Sequence, residues 1–205
     1  MKKQKLYENI EDIHIKGGVS QLTEMVTAMG VSLQNMAENT EQLTMQLIRY
    51  SASNKGSQYE RVVNTTMRLR DELFEASTDL NEMQNQIVAY QNKIYRYEEM
   101  SDSAAKPYPY LVNRNQNVNV ETAVVQFNRT EMMNLVDILN KYAEKVFHQL
   151  RTISQKKNSI AMVWCDSQYD DFAEFIDTVS KSVLEALKEY KDYVVYLNEK
   201  IKELS

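Results

Sequence analysis

The tetrad Ser57-Gln58-Tyr59-Glu60 returns as Ser167-Gln168-Tyr169-Asp170, displaced by 110 positions (168 − 58). Without a gap, the same displacement sets Leu69 against Val179, Leu73 against Val183, Leu80 against Tyr190 and Ile87 against Leu197. Upstream it pairs Met25 with Leu135, Met29 with Leu139, Met36 with Val146 and Leu43 with Ile153. Any two amphipathic helices can be slid into a rough apolar match, so the shared tetrad and the single offset carry the inference of a tandem duplication.

The spacing inside each copy is helical. Leu22, Met25, Met29, Leu33, Met36, Thr40, Leu43, Leu47 and Tyr50 step by three and four, as along a coiled-coil seam. That predicts a helix over about residues 20 to 52. Asn54-Lys55-Gly56 supplies a turn, and Ser57 with Glu60 forms a capping-box pattern that opens a second helix over about residues 57 to 100. Four glycines and two prolines in 205 residues leave few places for turns, which favours a small number of very long helices.

Both prolines fall in Lys106-Pro107-Tyr108-Pro109-Tyr110, beside the Asn-rich run Asn113 to Asn117, so about residues 101 to 119 read as a linker. The second hairpin then covers about residues 120 to 205, with helices over about 120 to 162 and 167 to 204. Its first helix starts near Val120 or Thr130, and Trp164-Cys165-Asp166 marks its turn. Asp166 or Ser167 caps the last helix, with Asp170 in its first turn. The fold class expected is all-α, two tandem antiparallel hairpins. They can bury their seams against each other as a four-helix bundle, or each can pair with a hairpin of another molecule; the spacing leaves both open.

The net charge of −5 and a pI near 5.2 disfavour a nucleic-acid backbone or an anionic membrane as the main partner. No run of apolar residues is long enough to span a bilayer. Met1-Lys2-Lys3-Gln4-Lys5 is followed by Glu8, Glu11 and Asp12 where a signal peptide would be apolar, so a cleaved leader is not expected. The lone Cys165 reads as a small residue at a helix junction.

Catalytic and metal sites are not expected. Glu11-Asp12-Ile13-His14 has the Glu-X-X-His spacing of di-iron bundles, but the aligned second copy reads Glu121-Thr122-Ala123-Val124. Glu144 and His148 read as a surface pair one turn apart. Methionines gather in the first and third helices, at Met25, Met29, Met36, Met45, Met132 and Met133, as core filler first and adaptable partner surface second. Met67, Val195 and Tyr196 stand outside the main seams and leave surface for a partner.

Trp164-Cys165-Asp166 between two long helices, followed by Gln168-Tyr169 and Phe172 and by a Tyr/Lys/Glu-rich helix, resembles the WXG family of small helical hairpins, the early-secreted-antigen type associated with type VII secretion. The resemblance is best over residues 120 to 205. In the first copy Asn54-Lys55-Gly56 keeps the family's glycine without the tryptophan, and the second keeps the tryptophan with Asp166 in the glycine's place. The family's Tyr-X-X-X-Asp/Glu export signal is matched by Tyr95 and Glu99 at the end of the second helix. The resemblance implies a non-enzymatic interaction protein: a substrate, co-secreted partner or adaptor of a type VII-like system. Its partners would be a secretion ATPase, a cargo protein or a second copy, and it would be made in the cytoplasm and exported without a cleaved signal. The alternative is an intracellular coiled-coil scaffold that is never exported.

Overall fold

The three-and-four spacing from Leu22 to Tyr50 becomes one continuous helix, α1 (Ser20–Ser53), in the computed structural model of the chain. The structure describes residues 12–16, 19–98, 105–108 and 116–203. After the Asn54-Lys55-Gly56 turn comes α2 (Ser57–Tyr97), and α3 (Arg129–Ile160) and α4 (Ser167–Glu203) form the second hairpin. At about 1.5 Å of rise per residue each spans roughly 50 to 60 Å. Among the described residues no strand forms, and no helix is long and apolar enough to cross a membrane.

Helix α3 starts at Arg129, one residue from the Thr130 alternative and not near Val120. Asn128 explains the boundary: its Oδ1 accepts the Glu131 N–H at 3.1 Å, and its carbonyl accepts the Met132 N–H at 3.1 Å, the two bonds of an N-cap. Residues 116–128 instead form an extended lead-in that Val118 anchors by burial.

The chain divides into two compact units, and each takes one stretch from every helix. The first comprises Met1–Gln34, Ser77–Leu111 and Gln149–Lys181; the second comprises Asn35–Ala76, Val112–His148 and Ser182–Ser205. Within each unit four helical stretches pack as an all-α four-helix bundle, so the two hairpins pair inside one chain. In the first unit Met29, Ile87, Ile153 and Ile176 bring one core residue from each helix. Leu43, Leu69, Leu139 and Tyr190 do the same in the second. Each such side chain contributes about 1.5–3 kcal/mol when fully buried, which is what offsets the ordering of a chain this long.

The 110-residue offset reappears as burial. Met25 and Leu135, Met29 and Leu139, Leu43 and Ile153, Leu73 and Val183, and Ile87 and Leu197 are all core pairs. Of the methionines, Met25, Met29, Met36 and Met132 lie in the core, whereas Met45 and Met133 are half exposed.

Candidate functional site

The α3–α4 turn is built around Trp164. Its indole is 1 % exposed and stacks on Tyr90 at 5.4 Å and Phe172 at 5.5 Å, with Tyr169 edge-on at 5.9 Å. Indole N–H groups need an acceptor when buried. Asp166 provides it: Trp164 Nε1 donates to Oδ1 at 2.7 Å. The same oxygen accepts the Gln168 N–H at 3.1 Å, which makes Asp166 the N-cap of α4, one residue before Ser167. Oδ2 accepts the His14 N–H at 3.0 Å and the Tyr90 hydroxyl at 2.5 Å. One buried carboxylate therefore ties the turn, α2 and the segment ahead of α1. Burial first, and then the Asp166 carboxylate, hold the Tyr90 hydroxyl well above its ordinary pKa.

At the α1–α2 turn the aligned residues are Asn54, opposite Trp164 in the repeat, and Gly56, opposite Asp166. Gly56 has φ +117°, which an L side chain rarely adopts, so the glycine is required by the backbone. Its carbonyl accepts the Glu60 N–H at 3.1 Å, so Gly56 occupies the cap position and Ser57 becomes the first helical residue. Ser167 is likewise the first residue of α4, one step later than a cap, because the aspartate before it already supplies a side-chain acceptor. Glu60 and Asp170 sit in the first turns, where a negative charge meets the positive helix end. Asn54 is fully buried: Nδ2 donates to the Tyr50 carbonyl at 3.1 Å, and Oδ1 accepts the Asn128 N–H at 2.7 Å.

The two turns share a device that neither sequence copy shows alone. Each is clipped by the lead-in of the other copy. In the first unit Ile15 bridges to Trp164: Lys16 N–H donates to the Val163 carbonyl and Cys165 N–H to the His14 carbonyl, both at 2.7 Å. In the second unit Lys55 bridges to Gln126 through bonds of 2.8 and 3.1 Å, and Gly56 N–H donates to the Glu121 carbonyl at 2.8 Å. Tyr59 stacks on Phe127 at 5.8 Å beside that clip.

A second feature went unread in the sequence. Arg70, Ser77, Gln84 and Gln91 recur every seven residues along α2, and all four are buried. In the second unit the Arg70 guanidinium, 0 % exposed, donates through Nη1 to Thr44 Oγ1 and to the Gln116 carbonyl, both at 3.1 Å, and through Nε to Asp71 at 2.9 Å. In the first unit Gln84 donates to the Val26 carbonyl at 3.0 Å, and Gln91 to Thr23 Oγ1 at 2.8 Å and the Val19 carbonyl at 3.3 Å. This polar line faces α1 and fixes the register of the hairpin. The seven-residue interval was the available signal; charged and amide residues on a long helix are ordinarily assigned to the solvated face.

Tyr95 lies half-buried in the last turns of α2, and Glu99 is outside the described residues. Around it Arg96, Tyr97 and Glu98 are exposed, Tyr97 at 83 %. His14 and His148 are exposed and belong to different units, as does Cys165 with respect to His148. Among the described residues no group of three or more His, Cys, Asp or Glu side chains is placed to hold a metal ion.

No family model matches the sequence, and no curated protein matches it. Among solved structures the chain is similar to an archaeal Dps homologue from Halobacterium salinarum, at 13% identity over 95% of this chain and 94% of that one, with a TM-score of 0.39. A likeness of that grade carries no argument about activity.

Proposed function

We propose that this chain acts through protein–protein contact and not through chemistry, as a tandem WXG-like helical protein that serves as a substrate, co-secreted partner or adaptor of a type VII-like secretion system. The observation that carries the reading is the α3–α4 turn, where a tryptophan and an aspartate two residues apart close a long helical hairpin. The proposed mechanism is recognition of an exposed helix end by a secretion ATPase or cargo protein while the bundle stays folded. At the end of α2 such a partner meets Arg96, Tyr97 and Glu98 on the surface. Further apolar contact is available beside each turn, at Met162 in the first unit and Val125 in the second, each about four-fifths exposed (80% and 81%). Val195 and Tyr196 add exposed apolar surface on α4.

The test is fractionation of the native host, with cells and medium probed for the full-length chain beside a cytoplasmic lysis marker. Intact chain in the medium without the marker supports export, and its loss in Glu99→Ala assigns the signal to Tyr95 and Glu99. Retention in cells whose secretion is active would reassign the chain to an intracellular coiled-coil scaffold.

A further inference from the structure

A single exposed apolar residue is ordinary on a protein surface, but a second seam along the outer side of a helix is not. In the second unit Met133, Asp137, Glu144 and Phe147 of α3 step by four, seven and three, and Leu184, Lys188, Lys191 and Val195 of α4 step by four, three and four. Each set therefore runs as one stripe along its helix. All of these residues are exposed, and Met133, Phe147, Leu184 and Val195 each keep about half of their surface in water.

The two stripes border one groove. Lys145 of α3 donates to Asn39 of α1 at 2.8 Å, and the Tyr193 hydroxyl of α4 donates to the Val62 carbonyl of α2 at 3.1 Å, so α1 and α2 cover the other flanks of these two helices. The Tyr142 and Tyr190 rings meet at 5.7 Å and set the level of the antiparallel pair. Counting along both helices from that contact brings Glu144 level with Lys188, and Phe147 level with Leu184 to within a residue. Asp137 and Met133 fall within a turn of Lys191 and Val195. The pattern is not a demand of the hairpin: Glu144, Lys188, Lys191 and Val195 align in the first copy with Gln34, Thr78, Asn81 and Asn85.

The charges identify what covers this face. Its acids stand on α3 and its lysines on α4, so the face is neutral as a whole and complementary to itself. Asp137 is bonded to Lys141, whereas Glu144, Lys188 and Lys191 have no ion-pair partner among the described residues. A two-fold axis running along the helices lays α3 of one copy over α4 of another at an unchanged level. Glu144 then meets the partner's Lys188 and Phe147 meets the partner's Leu184, each contact occurring twice. An axis running across the helices would lay α3 over α3, setting Glu144 against the partner's Asp137 and Lys188 against the partner's Lys191. Like charges exclude that arrangement.

We propose that the α3–α4 face of the second unit is a homodimer interface, in which α3 of each copy packs on α4 of the other about a two-fold axis along the helices. Of the surface residues named above for a secretion partner, only Val195 lies in it. The dimer is independent of export: it can form in an exported chain or a retained one.

Sedimentation equilibrium of the full-length chain reads the association. Wild type is expected to dimerise with a dissociation constant in the micromolar range, as suits a small face. Glu144→Lys and Lys188→Glu each put like charges at both symmetric contacts, and each is expected to weaken its homodimer by about tenfold or more. An equimolar mixture of the two variants restores both contacts between unlike chains and is expected to associate as tightly as wild type. Both side chains are exposed, so the fold is expected to be kept, with circular dichroism as the check. Wild type that stays monomeric up to a few hundred micromolar overturns the proposal, and so does a wild-type dimer that both variants leave unchanged. A mixture that associates no better than either variant alone also overturns it. Tighter association in Glu144→Lys would do the same, by assigning the arrangement of α3 over α3.

Discussion

Trp164 and Asp166, two residues apart, are joined by an indole N–H to carboxylate bond of 2.7 Å inside a cluster of three other aromatic rings. The pair does two jobs at once. The ring fills the end of the first unit's core, and the carboxylate caps α4 while collecting the Tyr90 hydroxyl and the His14 amide. Trp164→Ala is expected to lower stability by about 3–5 kcal/mol, the range for truncating a buried aromatic. Asp166→Asn keeps the shape yet turns an amide NH2 toward groups that are themselves donors, and it is expected to cost about 2–4 kcal/mol from mispaired buried groups. Urea denaturation of both variants checks this. A midpoint unchanged from wild type in Asp166→Asn would show that the four bonds are not holding the turn.

Gly56 tests the other turn by a different route. A Cβ there meets only ordinary contacts, the nearest being the Val124 carbonyl oxygen at 3.5 Å, so space is not the obstacle. Backbone strain at φ +117° is. Gly56→Ala is therefore expected to destabilise by about 1–2 kcal/mol, the cost of a left-handed L residue. Because the Gly56 amide also holds the lead-in through Glu121, the variant should increase amide exchange at residues 55, 56 and 126 before it affects α3. Uniform acceleration throughout the second unit would contradict a local origin.

Helix periodicity made α1, α2 and α4 legible to within a few residues at their described ends, because a seam stepping by three and four over nine positions has no other regular conformation to occupy. Three features were legible in part or not at all, each for a physical reason. The start of α3 was narrowed to Val120 or Thr130, and it lies one residue from the second because Asn128 caps it, a choice that the tertiary pairing of residues 116–128 decides. The clips at Ile15 and Lys55 are main-chain bonds between segments far apart in sequence, and main-chain bonds leave no side-chain signature. The segment at residues 105–108 carries the composition of a free linker; its contacts with Gly30 of α1 and Asn92 of α2 show that it is seated.

The polar line on α2 predicts a trade between stability and register. Gln84 is fully buried and leaves Oε1 without a partner, while the Val26 carbonyl it reaches is already a helix acceptor. Gln84→Leu is expected to raise stability by about 1 kcal/mol, since an apolar side chain of similar size removes a half-satisfied amide. Arg70→Ala should do the opposite, leaving a cavity and taking the guanidinium donor from the Gln116 carbonyl, at about 2–4 kcal/mol. Thermal melting of the two variants checks the signs. Destabilisation by Gln84→Leu comparable with Arg70→Ala would mean that the amide is fully bonded in solution and that the line is a network, not a register mark.

Buried tyrosines set the alkaline limit of the fold. Burial pushes Tyr193 up to about 12, and it raises Tyr50, Tyr90 and Tyr190 as well. An unfolded tyrosine titrates near about 10, so above that pH the unfolded chain gives up protons that the folded chain still holds. The stabilisation is fully present below about pH 10 and falls as pH rises through the folded values, by about 1.4 kcal/mol per pH unit for each tyrosine that is protonated only in the folded state. Tyr193 has a further tie, its hydroxyl donating to the Val62 carbonyl at 3.1 Å, which a phenolate cannot do. The expected titration is biphasic in tyrosinate absorbance: a first phase leaves the helices intact, and the buried set ionises in one cooperative step together with the circular dichroism signal. Tyr193→Phe should make the second step shallower by about one proton. Gradual ionisation of every tyrosine with helicity intact above pH ~12 would show that these hydroxyls reach water in the folded state.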